Sequence, residues 1–286
     1  MKSSEIFIVI ISFNGLNNLL NTLNGLDQNV GHIHIIDNGS STNTLSILRS
    51  IECMNNISIE YLGINKGIGY ALNIGIQRAK KMGYKWVLTM DQDSIADRNM
   101  ISEFCSAINI NSNLCCLTPS INIFGKKSSF NRTKNKNYTI DYAITSGNLV
   151  KMSVFEIIGL YDEKLFIDCV DFDFSLRVRQ AGMKINLVPN AKLYHQLGEE
   201  HDIPKIFSWF YTSHSTIRRY YMYRNWGYMI EQYSLKFPLF ILKSSIIHIL
   251  LLLVIPFYDK NPRESIKFIY YGVRDYFKNQ YGPLKI

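Results

Sequence analysis

The sequence lacks paired cysteine spacings, a secretory leader and an apolar run of membrane length. Its five cysteines are odd in number and include no Cys-x-x-Cys spacing, which indicates reduced, mostly buried thiols and hence a cytosolic protein. The apolar run at residues 6–11 is too short for a signal peptide and rich in β-branched residues, so it predicts a first strand. No run reaches the roughly 20 apolar residues of a spanning helix. Internal repeats, long low-complexity tracts and motifs of nucleic-acid recognition are also absent.

The composition is that of a folded protein with an uneven charge distribution. The chain has 286 residues, of which 47% are hydrophobic and 19% charged, enough for one large core or a main domain with an appendage. The net charge is +8, and residues 201–286 supply +7 of it, with 12 Lys and Arg against 5 Asp and Glu. This basic excess fits an anionic membrane surface, an anionic substrate or nucleic acid as partner.

Strand-like and helix-like segments alternate through the first 90 residues. The predicted strands are residues 5–12, 32–36, 57–62 and 86–90, and the predicted helices are residues 17–26, 42–54 and 69–82. This βαβαβαβ order predicts a mainly parallel sheet with helices on both faces. Ligands bind such sheets at the carboxyl ends of the strands. Asn14, Asp37 and the pair Asp91 and Asp93 all lie at such ends, so we expect them to converge.

Two carboxylates directly follow the fourth predicted strand, in Met90-Asp91-Gln92-Asp93-Ser94. Acids at this position are poorly suited to a hydrophobic core, whereas their oxygens suit a divalent cation held against a diphosphate. An Asp-x-Asp spacing alone is weak evidence, because acidic turns are common. Its value depends on the surrounding motifs.

The character of the chain changes near residue 204. We expect a catalytic domain over residues 1–203 and a helical, basic and apolar region over residues 204–286. Within the first domain, residues 125–139 are polar and basic and read as a loop, more simply a solvated excursion than a substrate contact. In the C-terminal region, residues 244–258 form an apolar run of about 15 residues that Pro256 is expected to end, followed by a basic, aromatic helix.

Several motifs occur in an unbroken order over residues 5–230. Besides the acidic pair they are Val9-Ile10-Ile11-Ser12-Phe13-Asn14, Ile35-Ile36-Asp37-Asn38-Gly39-Ser40, Asn65-Lys66-Gly67-Ile68-Gly69, Thr145-Ser146-Gly147-Asn148, Asp168-Cys169-Val170-Asp171-Phe172-Asp173, His195-Gln196-Leu197-Gly198 and Arg218-Arg219-Tyr220-Tyr221 with Arg224-Asn225. Together they resemble the family 2 glycosyltransferases and, within them, the bacterial rhamnosyltransferase-like group. The resemblance implies a GT-A fold, that is, a Rossmann-like α/β fold with a mixed, mainly parallel sheet flanked by helices. It also implies inverting transfer of a sugar from a nucleotide donor.

The resemblance and the residue chemistry together suggest a donor site. Its metal ligands, for Mg²⁺ or Mn²⁺, are Asp93 and His195, although a lone histidine is equally a packing residue. The donor-binding candidates are Asn14, Asp37, Asn65, Gly67, Asp91, Arg218 and Arg224. Each group has a plainer alternative: Asp37 as a turn-forming residue, and the arginines as a solvated face or as partners stacked on tyrosine.

Displacement at an anomeric carbon requires a base for the acceptor hydroxyl. Three acids are near the start of a predicted helix: Asp168, Asp171 and Asp173. The family commonly has Glu-Asp here, where this chain has Val170-Asp171, so Asp171 is the predicted base and Asp168 the alternative. Asp173 is expected to cap the helix or to pair with Arg177, since acids at helix N-termini also have that role.

The expected function is transfer of L-rhamnose from dTDP-L-rhamnose to a hydroxyl of a lipid-linked glycan in O-antigen or capsule biosynthesis. The expected location is the inner face of the bacterial cytoplasmic membrane, with attachment to anionic lipid and no nucleic-acid partner. A different nucleotide sugar and a sugar nucleotidyltransferase are the alternatives. The latter is disfavoured because the first strand ends in Ser12-Phe13-Asn14-Gly15 rather than in a basic glycine-rich loop. The apolar run could instead pack on the catalytic domain or form a homodimer seam.

Overall fold

The computed structural model describes residues 1–15, 18–26, 29–123, 138–195, 211 and 214–285. Most of the basic segment expected to be a loop falls outside these residues. The chain divides into two compact units, Met1–Glu163 with Asp171–Gln196, and Lys164–Val170 with Leu197–Ile286. The segment Lys164–Val170 thus groups with the C-terminal helices, although it precedes the predicted boundary at residue 204.

The first unit contains the predicted parallel sheet. Strands β1 (Ile6–Ser12), β2 (His32–Asp37), β3 (Ile57–Tyr61) and β4 (Trp86–Asp91) are parallel in the order β3-β2-β1-β4, and helices α1 (Asn18–Gly25), α2 (Thr42–Ile51) and α3 (Ile68–Lys81) connect them. All seven residues of β1 are buried, because helices cover both faces of the sheet. Helix α3 approaches β1 closely at Gly75, where an added Cβ would lie 2.4 Å from Val9 Cγ1.

The remainder of this unit makes the sheet mixed. It comprises β5 (Ser94–Ala96), α4 (Met100–Ile110), β6 (Cys116–Ile123), β7 (Tyr138–Ile140), β8 (Asn148–Lys151), α5 (Met152–Ile158), α6 (Val170–Gln180) and β9 (Ile185–His195). Strand β8 lies antiparallel between β4 and β6, and β6 pairs in parallel with β9. Strands β5 and β7 both pair antiparallel with β9. The predicted mixed α/β fold is therefore confirmed, although the strand pairings are divided equally between parallel and antiparallel.

The second unit is built on three helices, α7 (Thr216–Tyr233), α8 (Pro238–Tyr258) and α9 (Pro262–Phe277). Helices α7 and α9 pack closely because Gly272 has no side chain: an added Cβ there would lie 2.4 Å from the carbonyl oxygen of Tyr220. A buried ion pair joins α7 to the turn after α8, with Arg219 Nη2 2.8 Å from Asp259 Oδ1. Ser265 on α9 donates to the other oxygen of the same carboxylate at 2.8 Å. One carboxylate thus ties together the start of α7, the end of α8 and the start of α9.

The predicted extent of the apolar helix was wrong. Helix α8 has 21 residues, includes Pro256 and has a mean hydropathy of 2.3, so by length and composition it could cross a membrane. Two polar residues of this helix, Ser245 and His248, contact Trp226 of α7. Ser245 accepts a hydrogen bond from Trp226 Nε1 at 3.2 Å, and the ring of His248 stacks on the same indole. Because Ser245 and His248 form these contacts with α7, they do not end the helix, which continues to Tyr258.

Candidate active site

Gln92 fixes the acidic turn after β4 against the end of β1. Its Oε1 accepts from the Phe13 backbone N–H at 2.9 Å and from Ser12 Oγ at 3.1 Å, and its Nε2 donates to the Phe13 carbonyl at 2.8 Å. These bonds hold Asp91 and Asp93, on either side of Gln92, at the carboxyl edge of the sheet. No role was predicted for Gln92 from sequence, although its position between Asp91 and Asp93 pointed to a part in the site.

Asp91, Asp93 and His195 form a cluster that could hold a metal ion. Each offers one ligand atom, and these atoms lie within 4.8 Å of one another. His195 Nδ1 is 3.9 Å from Asp93 Oδ1. The pairing of β5 with β9 places Ser94 opposite His195 and so brings the histidine to the acidic turn. Two carboxylates and an imidazole are a suitable donor set for a divalent cation, so the residues present fit such an ion.

Two buried serines support this cluster from behind. The Asp91 backbone N–H donates to Ser146 Oγ at 3.0 Å, and Ser146 Oγ donates to Ser94 Oγ at 2.7 Å. Ser94 Oγ is in turn 2.8 Å from His195 Nδ1. A chain of hydrogen bonds thus runs from the acidic strand to the imidazole and fixes the orientation of the ring, as outer partners of metal-binding histidines do. Neither serine was assigned a role from sequence, although both lie in the quoted motifs.

Asn14 and Asp37 shape the loop after β2. Asn14 adopts a left-handed conformation, donates from its backbone N–H to Ser40 Oγ at 3.0 Å and accepts from the Ser41 N–H at 2.9 Å. The buried carboxylate of Asp37 accepts from the N–H groups of Gly39 and Ser40 at 3.2–3.3 Å. The turn given as the alternative for Asp37 is therefore formed. Both side chains lie at the carboxyl edge of the sheet, where nucleotides bind in α/β folds.

Asn65 and Gly67 belong to a second loop tied to the end of β2. Asn65 Oδ1 accepts from Asn38 Nδ2 at 3.1 Å and from the Gly67 N–H at 2.9 Å, and Asn38 Oδ1 accepts from the Lys66 N–H at 2.9 Å. Gly67 precedes α3 with φ +90°, a conformation that side chains disfavour. The loop thus leads into the N-terminus of α3, whose dipole favours anions. Asn38, which cross-links the two loops, had no role in the sequence analysis.

The structure separates the roles of two acids at the start of α6. Asp171 lies in the first turn, half-buried, and its Oδ1 accepts from the Phe172 N–H at 2.9 Å. Asp173 is buried and its Oδ2 accepts from Arg177 Nε at 2.9 Å and Nη2 at 2.7 Å. As expected, Asp173 pairs with Arg177, which makes it a structural residue.

Asp168 and Arg218 form an ion pair in the second unit. Arg218 Nε and Nη2 lie 3.1 and 3.0 Å from Asp168 Oδ1, and Asp168 has a left-handed φ of 63°. Burial raises the pKa of the Asp168 carboxyl, and the charge of Arg218 opposes that rise. The structure therefore joins two residues that the sequence analysis placed in different roles, one as the alternative base and one as a donor contact.

Arg224 requires a correction. It was predicted to contact the donor, yet its side chain is fully buried. Nη1 donates to the Gly282 carbonyl at 2.6 Å, and Nη2 donates to the carbonyls of Lys164 and Leu165 at 3.0 Å. The ring of Tyr221 lies 4.9 Å from its guanidinium carbon. A guanidinium enclosed by carbonyls and tyrosine rings presents no surface to a diphosphate, so Arg224 has a structural role.

Known proteins share this sequence pattern and fold. Residues 7–164 match the model of the family described as "Glycosyl transferase family 2". The chain is 30% identical over 238 residues to the dTDP-rhamnosyl transferase RfbF of Shigella flexneri, covering 78% of this chain and 79% of that protein. It is 20% identical over 236 residues to the galactofuranosyltransferase GlfT1 of Mycolicibacterium smegmatis, covering 73% of this chain and 76% of that protein.

Solved structures share the fold at lower sequence identity. The crystal structure of GalNAc-T7 with UDP, GalNAc and Mn²⁺ has a TM-score of 0.63 at 18% identity, over 79% of this chain and 47% of that one. Residues 1–349 of S. aureus TarS give a TM-score of 0.55 at 13% identity, over 98% of this chain and 94% of that one. The match to the family model over residues 7–164 and the 30% identity to a dTDP-rhamnosyl transferase show that the chain belongs to glycosyl transferase family 2.

Proposed function

We propose that the enzyme transfers L-rhamnose from dTDP-L-rhamnose, with inversion, to a hydroxyl of a lipid-linked glycan in O-antigen or capsule biosynthesis. The observation that carries the reaction class is the Asp91, Asp93 and His195 cluster at the carboxyl edge of the sheet. The similarity to a dTDP-rhamnosyl transferase over 78% of the chain supports the choice of donor. A lipid-linked acceptor is compatible with the apolar and basic C-terminal helices.

In this proposal Asp93 and His195 hold Mg²⁺ or Mn²⁺, with Asp91 beside them on the ribose or the sugar. The cation would stabilise negative charge on the departing nucleoside diphosphate. Ser94 Oγ lies 2.8 Å from His195 Nδ1. If Ser94 donates to Nδ1, the lone pair of that nitrogen is occupied, and the cation would be bound through Nε2. The imidazole favours Mn²⁺ over Mg²⁺, because Mg²⁺ prefers oxygen ligands.

Asp171 is the proposed base. As the acceptor oxygen forms its bond to the anomeric carbon, the bond from that carbon to the diphosphate breaks on the opposite face, and the hydroxyl proton passes to Asp171. Asp168 is less suited to this step, because it already accepts from the guanidinium of Arg218. We assign the remaining donor contacts to Asn14, Asp37, Asn65 and Gly67, with Arg218 as a candidate for the diphosphate.

A donor screen tests this function. Thermal shift and donor hydrolysis are measured against dTDP-L-rhamnose, other dTDP-sugars, UDP-sugars and GDP-sugars, each with Mn²⁺, Mg²⁺ or EDTA. We expect dTDP-L-rhamnose to give the largest metal-dependent stabilisation, about 2.7 kcal/mol at 100 times its Kd. Preference for another nucleotide sugar would replace the donor. Release of pyrophosphate from dTTP and a sugar 1-phosphate would instead identify a nucleotidyltransferase.

The surface of the second unit supports membrane attachment. One face of α8 packs against α7 and α9, through Leu251, Val254 and Ile255. The opposite face is an exposed apolar stripe of Leu239, Leu242, Ile246, Ile249, Leu253 and Phe257, with exposures from 48 to 80%. Exposed Lys260, Arg263 and Lys267 follow it at the start of α9, where each could gain about 1 kcal/mol from anionic lipid. Further along α9, Arg274 pairs with Asp275 at 2.7 Å.

We propose that α8 lies along the surface of the cytoplasmic leaflet with this stripe in the acyl boundary. A spanning orientation is disfavoured because α7, packed alongside α8, carries several arginines that would enter the hydrocarbon region with it. An amphipathic placement leaves α7 on the aqueous side and buries the stripe. The alternative is that a second copy of the chain covers the same stripe in a homodimer.

The full-length protein is expected to float with liposomes containing anionic lipid. The double variant Leu242→Glu/Ile249→Glu should lower the bound fraction more than tenfold, since each side chain loses about 1.5–3 kcal/mol of burial. Ile110→Glu, which alters an equally apolar residue that is 87% exposed on α4, is the matched control and should float normally. A wild-type protein that stays unbound at low salt, or forms dimers that the double variant dissociates, would reject the membrane surface.

A further inference from the structure

The segment before α6 is held in an unfavourable backbone conformation. Phe166, Asp168 and Cys169 have φ values of 62°, 63° and 63°. Left-handed conformations of residues other than glycine are unfavourable and persist only when the surroundings enforce them. This segment contains Asp168 and leads directly into α6, where Asp171 follows. The contacts that enforce this conformation therefore also fix the position of Asp168.

Asn225 of α7 provides most of this enforcement. Its Nδ2 donates to the carbonyls of Leu165 at 2.8 Å, Ile167 at 2.7 Å and Asp168 at 2.9 Å. Asn225 is fully buried, so these bonds form away from water. The carboxamide nitrogen thus binds three carbonyls of an irregular segment, which no apolar side chain could do.

Arg224 completes the arrangement. Its Nε and Nη2 donate to Asn225 Oδ1 at 3.0 and 2.9 Å, which turns the Asn225 amide nitrogen toward the segment. Nη2 also donates to the carbonyls of Lys164 and Leu165. On the segment itself, the ring of Phe166 stacks on that of Tyr221 at 4.9 Å. Two adjacent buried side chains therefore bind the carbonyls of four of the five residues from 164 to 168.

We infer that Arg224 and Asn225 are positioning residues for the transfer reaction. They hold the Asp168 carboxylate, paired with Arg218, and the backbone entering α6 in the geometry that the acceptor hydroxyl requires. The inference rests on the proposed function. Relaxation of the strained segment would displace the Asp168 carboxylate, and a displacement of about 1 Å can cost roughly 10²-fold in rate. Asp93 and His195, the proposed metal ligands, lie outside this segment, so metal-dependent donor affinity should be spared.

The test compares kcat, acceptor KM and donor Kd in Asn225→Ala, Arg224→Lys and Tyr223→Phe. Tyr223→Phe is the matched control, because it removes one hydrogen bond of α7, from the Tyr223 hydroxyl to the His248 carbonyl at 2.7 Å, without touching the segment. We expect Asn225→Ala to lower kcat by roughly 10–10²-fold, with donor Kd nearly unchanged and faster amide exchange over residues 164–169. Arg224→Lys keeps the positive charge but loses the planar guanidinium, which donates to several oxygens at once. We expect it to lower kcat less than Asn225→Ala does.

Normal kcat in folded Asn225→Ala, or an equal loss in Tyr223→Phe, would overturn the inference. Should Asn225→Ala fail to fold, Arg224→Lys decides: normal kcat with faster exchange over residues 164–169 would show that the segment geometry is not rate-determining. A wild-type protein that transfers a different sugar permits the same comparison with that donor. A wild type that transfers no sugar at all overturns the proposed function and this inference with it.

Discussion

Asp171→Asn is expected to lower turnover by roughly 10²–10⁴-fold while leaving donor affinity near normal. The amide keeps the shape of the side chain and its hydrogen bond to the Phe172 N–H, so the start of α6 should be preserved. It removes only the capacity to accept the proton of the acceptor hydroxyl. The measurements are single-turnover transfer with a saturating donor, donor affinity by calorimetry and the melting temperature.

Asp168→Asn is the rival variant for this experiment. If Asp168 were the base, its replacement would abolish turnover and Asp171→Asn would transfer sugar at a near-normal rate. In our assignment Asp168→Asn weakens the pair with Arg218 and gives the smaller loss. The variant with the larger loss of turnover therefore identifies the base: Asp171→Asn if Asp171 is the base, and Asp168→Asn if Asp168 is.

Asp93→Ala is expected to abolish metal-dependent donor binding without unfolding the protein. The Asp93 side chain is 37% exposed and its one resolved ion-pair contact is with His195 at 3.9 Å, so its loss should cost little stability. Without this carboxylate only His195 remains of the two proposed protein ligands, too few for the affinity that a diphosphate complex needs. Calorimetry of dTDP binding with Mn²⁺ and with EDTA, beside thermal unfolding, measures both effects.

Asp97→Ala is the matched control for Asp93→Ala. Asp97 follows four residues later, accepts from the Asn99 N–H at 3.1 Å and lies outside the metal-binding cluster. It should retain binding that depends on Mn²⁺. Unchanged metal dependence in Asp93→Ala would remove Asp93 from the ligand set and would leave Asp91 and His195 to be tested.

The sequence by itself determined the four parallel strands β1 to β4 and their carboxyl ends. The apolar and β-branched residues of β1 and β4 predict buried strands. The segments between the four strands have apolar residues at helical spacing, and a helix between consecutive strands favours parallel pairing. The positions of Asn14, Asp37 and Asp91 at the carboxyl edge follow from this order alone. The order of the motifs was sufficient to identify the family, because each motif keeps its place on the fold.

Only the tertiary structure decided which side chains act together. Strand β9 pairs with β5 and so brings His195 to Asp93, and buried Ser94 and Ser146 link the two. Local periodicity does not encode such long-range register. The arginines of α7 look alike in sequence, yet Arg218 pairs with Asp168 near the surface whereas Arg224 is enclosed by carbonyls. Their different roles follow from the face of the helix that each occupies and from what packs against that face, which only the folded chain specifies.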